Sequence, residues 1–363
     1  MLCGAADSHN TVDLNAPRRI WVRAPNWVGD FVMATPAFER LRRAWPDAWI
    51  VGAMRPYLFD LAAGSPWFDA VEATPRAGSV RGLLRQVRAV RSGRYDLAVV
   101  LPNSLETGLV PFLAGVPHRL GYRQGRPGLL NHGLRAESAR PPWRRHGPRR
   151  VPVPMPEYYR RLLDALSVPP GPDATTLHVT DAGREAARTW LAERGIGADA
   201  RLVLFTAGAA FGASKLWAPE RFAEVARRLV AQGVTAVFLA GPAEVELVRG
   251  IVERAGANVF GATDPVLPFA ALKALVAQSA LMVTTDTGPR HIALAFDVPV
   301  VCLIGPIDPR YTDYALERQI VIRKPVPCAP CHFKTCPLGH HACMTGIEVE
   351  EVVAAAEALL DGA

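Results

Sequence analysis

The chain has 363 residues, half of them hydrophobic and 21% charged, an ordinary globular balance and enough length for two sizeable cores. Its net charge of +7 and pI of about 9.3 favour an anionic partner: nucleic acid, a phospholipid surface, or a phosphorylated or acidic sugar. No apolar run reaches the roughly 18 residues that span a bilayer, and the small, polar stretch from Met1 to Ala16 reads as neither a secretory signal nor an anchor but as a disordered lead-in.

Arg19 to Arg23 predicts a first strand, which ends in Ala24-Pro25-Asn26-Trp27-Val28-Gly29-Asp30. A helix follows. It starts either at Pro36, with Thr35 as its cap, or at Asp30 with a kink at Pro36. Trp49 to Ala53 predicts a second strand, Ala70 to Glu72 a short edge strand, and Val80 to Val90 an amphipathic helix. Asp96 to Leu101 predicts a buried strand ending in Pro102-Asn103-Ser104, with a helix from Glu106 to Ala114. From His118 to Arg161 the chain holds eleven Arg, no Lys and only Glu137 and Glu157 as acids, a local charge of +9. Such a run is either a solvated loop or an anion-binding surface, since guanidinium forks match carboxylates and phosphates in pairs.

A helix is expected from Pro156 to Leu166, and Ser167 to Pro172 is the best linker in the chain. The alternation then restarts. Helices are expected at 181–194, 219–231, 243–255 and 269–278, and strands at 202–206 and 236–240. Leu281 to Val283 predicts a strand buried on both faces, broken by Thr284 to Gly288. Pro289 then opens a short helix, Val298 to Ile304 is another strand, and Ile347 to Leu360 is a last helix that fits either half. Alternating short apolar strands and helices predict α/β architecture with parallel sheets. The divisions are 17–166, a linker at 167–175, and 176–363 with a cysteine-rich segment at 328–343. Neither G-x-G-x-x-G nor G-x-x-x-x-G-K-[ST] occurs, which argues against dinucleotide oxidoreductases and P-loop ATPases.

Asp30 sits in a glycine turn past a strand end, where a carboxylate either caps a helix or faces a cleft as a general base. Lys215 lies in the glycine-rich stretch from Gly208 to Pro219, between strand and helix, and suits an anion. Glu244 occupies a similar corner, where it complements a helix dipole or holds ribose hydroxyls. Asp286, Thr287, Gly288 and His291 share one strand-to-helix turn, a place where open α/β sheets bind phosphorylated ligands. Cys328, Cys331, Cys336 and Cys343 have the spacing C-x2-C-x4-C-x6-C, with His332, His340 and His341 among them. That suits a small zinc knuckle, two disulfides or buried thiols, and a cytoplasmic enzyme argues against disulfides.

Together these stretches resemble the glycosyltransferases of family 9. The resemblance rests on Asn26 to Asp30, Pro102-Asn103-Ser104, Phe211-Gly212 with Lys215 and Trp217, and Asp286-Thr287-Gly288 with His291, followed by Gly305-Pro306. It implies two Rossmann-like domains facing across a cleft (GT-B type). The first would bind acceptor and the second an ADP-sugar. It implies inverting transfer of heptose from ADP-heptose to a heptosyl-Kdo lipid A acceptor, without a catalytic metal. Asp30 would be the base. Phe211, Gly212, Lys215, Glu244, Asp286, Thr287, Gly288 and His291 would line the donor site, and Asn103, Ser104, Arg144 and Arg145 the acceptor site. The enzyme would sit in the cytoplasm, against the inner membrane. Another family 9 donor or acceptor, a sugar-nucleotide epimerase, and a nucleic-acid-binding protein are the alternatives. The last is disfavoured because the basic run has few interleaved aromatics.

Overall fold

The computed structural model describes residues 14, 16–75, 78–126, 128–138 and 150–362. Most of the expected lead-in, and Arg144 and Arg145, lie outside these residues.

The first five strands are β1 (Arg19–Arg23), β2 (Trp49–Met54), β3 (Ala70–Ala73), β4 (Leu97–Val100) and β5 (His118–Gly121). They form one parallel sheet in the order β3-β2-β1-β4-β5. The next six are β6 (Leu202–Thr206), β7 (Thr235–Leu239), β8 (Val259–Ala262), β9 (Leu281–Thr285), β10 (Val300–Leu303) and β11 (Gln319–Ile322). These make a second parallel sheet, β11-β10-β9-β6-β7-β8. In β1, Ile20 and Val22 enter one core while Trp21 enters another. Both faces of the central strands are therefore buried, as parallel sheets with helices on both sides require.

The predicted alternation stands, with three short strands added: β5, β8 and β11. The first helix departs from both predicted forms. It begins at Val28, ends at Met33, and gives way at Ala34 to a second helix, Thr35–Ala44. Thr35 is the first residue of that second helix, not its cap, and its hydroxyl donates back to Val32 O at 2.8 Å. β9 runs two residues beyond the apolar stretch, because Thr284 and Thr285 are buried with their hydroxyls satisfied: Thr284 bonds the Thr206 hydroxyl and Thr285 donates to Gly208 O at 3.3 Å. The last helix, Val349–Asp361, packs on the second sheet and on the Pro219–Val230 helix.

One hydrophobic cluster runs through both halves, joining Ile20, Phe31 and Phe38 to Leu202, Leu275 and Ile292. Its seam is the packing of the Val28–Met33 helix against the Gly288–Ala295 helix. Polar ties reinforce it. Lys273 Nζ donates across it to Ala63 O at 2.9 Å, while Arg40 donates to Pro169 O at 2.7 Å and so fastens the linker to the first half.

Candidate active site

Each sheet reverses its direction of winding once: between β1 and β4 in the first, and between β6 and β9 in the second. Loops at such switch points diverge and leave a crevice at the carboxyl ends of the strands. The loops after β1 and β4 carry Asn26–Asp30 and Pro102–Ser104; those after β6 and β9 carry the Lys215 loop and the Asp286–His291 turn. The motifs singled out in the sequence therefore stand at the two crevices.

Asp30 lies in the first turn of its helix but does not cap it. Trp27 is at the N-cap with no side-chain bond, and Phe31 N donates to Trp27 O at 2.8 Å. The partner of the Asp30 carboxylate is Tyr159, whose hydroxyl donates to Oδ1 at 3.2 Å from the Met155–Asp164 helix. Burial raises the Asp30 pKa above the usual carboxylate value; Tyr159, Arg150 and Lys215 counter only part of that rise. The Arg150 guanidinium lies over the Tyr158 ring, 4.1 Å from its centroid, and 5.4 Å from that of Tyr311. The Tyr311 hydroxyl donates to Arg150 O at 2.9 Å. Arg150 thus links the basic segment of the first half to the second half, beside Asp30.

Across the seam, Asp286 follows β9 and is buried. Its Oδ2 accepts from Lys215 Nζ at 2.7 Å and its Oδ1 from Arg290 at 2.8 Å. Lys215 also donates to the Asp286 backbone O at 2.6 Å. Burial acts to raise this carboxyl, but Lys215 and Arg290 hold it well below the usual range. Arg290, fully buried, also donates to Thr312 Oγ1 at 2.9 Å and to Gln319 Oε1 at 2.7 Å. Thr287 stands at the N-cap of the Gly288–Ala295 helix with extended backbone and no side-chain capping bond, so its side chain leaves the first-turn N–H groups untaken. His291 is buried, with Nδ1 2.7 Å from the Tyr314 hydroxyl. Burial and the adjacent Arg290 push its pKa down to about 3, so the imidazole is neutral near pH 7.

Phe211 places its ring 5.2 Å from Lys215 Nζ, and Gly212 adopts φ 153° where a Cβ would stand 2.4 Å from Lys334 O. Glu244 is at the N-cap of the Val245–Ala255 helix; Oε2 accepts from Gly241 N at 2.8 Å, and Oε1 lies where a Cβ on Gly208 would be. It thus sits between the loops after β6 and β7. Asn103 Nδ2 donates to the Tyr158 hydroxyl at 2.9 Å, and Ser104 caps the Leu105–Ala114 helix. The four clustered cysteines are free thiols. As the side chains stand, no three His, Cys, Asp or Glu groups among the described residues are set to hold a metal ion. No helix among those residues is long and apolar enough to cross a membrane.

Sequence reasoning missed Tyr159, Arg290 and Tyr314. Arg290 is four residues after Asp286, the spacing of a helical ion pair, and that signal was there to use. Tyr159 lies 129 positions from Asp30, and only the fold joins them.

Residues 83–342 match the family model described as glycosyltransferase family 9 (heptosyltransferase). The chain is 30% identical to lipopolysaccharide heptosyltransferase 2 of Salmonella typhimurium, over 84% of this chain and 88% of that one. It is 28% identical to the Escherichia coli protein of the same name, over 94% of this chain and 98% of the other. Among solved structures it is similar to the E. coli ADP-heptose heptosyltransferase II, with a TM-score of 0.76, 26% identity and coverage of 95% and 99%. A family 9 structure from Veillonella parvula shares the fold, with a TM-score of 0.80, 24% identity and coverage of 98% and 100%.

Proposed function

The chain belongs to glycosyltransferase family 9, the heptosyltransferases, and from that premise we propose that it moves heptose from ADP-heptose onto a heptosyl-Kdo lipid A acceptor, with inversion and with Asp30 as the base. ADP-heptose transfer in lipopolysaccharide inner-core synthesis is the reading that the similar heptosyltransferase 2 proteins and the E. coli structure support. The observation that carries the mechanism is the facing of the two crevices. Asp30 stands on one and the Lys215–Asp286 pair on the other, within electrostatic reach of each other.

The acceptor hydroxyl attacks the anomeric carbon from the side opposite the departing ADP. A carbon–oxygen bond forms to the acceptor while the bond to the β-phosphate oxygen breaks. The hydroxyl proton passes to the Asp30 carboxylate. Raised basicity from burial makes that carboxylate a better proton acceptor than an exposed one. The ADP leaving group gathers negative charge. Lys215 and the first-turn N–H groups of the Gly288–Ala295 helix are suited to stabilise it. Asp286 and Arg290 hold Lys215 in position, Glu244 is placed for ribose hydroxyls, and His291 lines the donor side as a neutral group packed at the seam.

The first half, residues 17–166, takes the acceptor, and residues 176–363 take the donor. Asn103, Ser104, Arg144, Arg145 and Arg150 belong to the acceptor side, where guanidinium groups suit Kdo carboxylates and lipid A phosphates. The basic segment also suits peripheral contact with the anionic cytoplasmic face of the inner membrane. No metal enters the chemical step. The test is incubation of purified protein with ADP-heptose and defined truncated core acceptors, read by mass spectrometry. Gain of one heptose by a heptosyl-Kdo acceptor is the expected result. Transfer solely from another nucleotide sugar, or donor conversion without acceptor, overturns the reading.

A further inference from the structure

The segment from Arg323 to His341 has no strand or helix. It is poor in buried apolar side chains, and Leu338 is 62% exposed. Yet it braces the donor side. Ser214 N donates to Lys334 O at 3.0 Å and Ser214 Oγ to Phe333 O at 2.6 Å, which ties the segment to the loop bearing Lys215. Cys331 N and His332 N both donate to Pro306 O, at 3.0 and 2.9 Å, which ties it to the loop after β10. A Cβ on Gly305 would meet Met344 Sδ at 2.5 Å and Cys343 Sγ at 3.1 Å, so that loop packs against the Cys343–Met344 corner. A long irregular segment with so little apolar content needs another source of order.

Cys328, Cys331, Cys336 and Cys343 all line one cavity of about 20 Å³, beside Ser214 and Pro306. After Cys336 the chain turns back on itself, with Gly339 N donating to Cys336 O at 3.3 Å and Gly339 left-handed, with φ 71°. The thiolate is the form of cysteine that ligates metal. The four thiols share one wall instead of standing as two pairs, and three of them are only half-buried, which is unlike inert core cysteines.

We propose that these four thiolates bind one divalent transition-metal ion, Zn²⁺ or Fe²⁺, in tetrahedral coordination, and that this ion staples the segment under the donor loop. In the structure the sulfurs do not converge on a common point. Each thiol has other staggered χ1 positions about its Cα–Cβ bond through which it can turn inward. Four-thiolate sites of this kind are structural, with every coordination position filled by protein. The ion takes no part in the chemical step and acts through the position of Ser214 and Lys215. Metal binding itself is independent of the transferase reading; only its effect on the donor rests on that reading.

The test uses the full chain, purified without chelator. Elemental analysis should find about one Zn or Fe per chain. After chelation and dialysis, added Co²⁺ should give the visible and near-ultraviolet bands of tetrahedral thiolate coordination. Four more thiols should react with a thiol reagent once the metal is removed, and ADP affinity should fall. The Cys328→Ser/Cys331→Ser variant should lose the ion; should it fail to fold, the chelation and Co²⁺ measurements on the unaltered chain still decide. Absence of metal with all four thiols freely reactive overturns the proposal, as does recovery of those thiols only after reduction, which would mean disulfides. Bound metal with no heptose transfer would sink the transferase reading and leave the site standing.

Discussion

Gly29 lies against His291 across the seam so closely that a Cβ on residue 29 would stand 2.6 Å from the imidazole Cδ2. The reverse contact is equally tight, since a Cβ on Gly288 would stand 2.8 Å from Val28. Neither glycine has a positive φ. What each supplies is the missing side chain, which lets the first turns of the two helices touch. That contact brings Asp30 toward the Asp286–His291 turn. Gly29→Ala should cost about 1–3 kcal/mol, the usual range for overpacking a filled site, and should lower kcat by displacing Asp30. A double-mutant cycle with His291→Ala checks the cause. Recovery of stability in the double variant is expected, and strict additivity of the two losses counts against the contact.

Lys215 uses two of its three donors on Asp286, which leaves one for an incoming phosphate oxygen. Lys215→Ala should therefore weaken donor or transition-state binding by about 1.5–3 kcal/mol, the range of a charge-assisted hydrogen bond, or roughly 10- to 150-fold. Steady-state kinetics against ADP-heptose read this directly. Unchanged donor kinetics would remove Lys215 from the site.

Lys273 is fully buried at the join between the halves, where burial brings its pKa from 10.5 down to about 8. Between those two values the unfolded chain holds a proton that the folded chain has lost. Stability linked to this residue must then rise with pH from about 8 to 10.5. Lys273→Met should remove that increment. Denaturant unfolding of both proteins at several pH values across the window isolates it, because other groups titrating there are common to the two. Parallel stability curves would show that Lys273 is not the group.

Much of this site could be read from the sequence because Gly, Pro and Asp interrupt buried apolar strands at the points where loops must leave a sheet. Asp30, Lys215 and Asp286 were singled out that way. β5, β8 and β11 were not, since four residues with partly exposed positions barely set a period; β3, no longer than these, was read only as a short edge strand. The end of β9 was hidden for a different reason. Thr284 and Thr285 look like a turn, but their hydroxyls find partners in the core. Strand order leaves no local trace either, so which loops flank the two crevices was visible only in the folded sheets. The pairing of Tyr159 with Asp30 depended on that order as well.

The most direct test of the account is kcat for Asp30→Asn, measured beside ADP affinity and the thermal midpoint. Asn keeps the shape and one acceptor oxygen for the Tyr159 hydroxyl, but it cannot take up the proton. Because the folded pKa of Asp30 is raised, the stability linked to this carboxyl is fully present below its unfolded value and is lost as pH rises through the folded one. The charged form is therefore a burden on the fold, and replacing it with Asn should leave the midpoint unchanged or higher. ADP binding should persist, while kcat should fall by roughly 10²–10⁴-fold, the usual worth of a positioned base. A variant that stays folded, binds ADP and turns over near the unaltered rate would contradict the claim that Asp30 is the base.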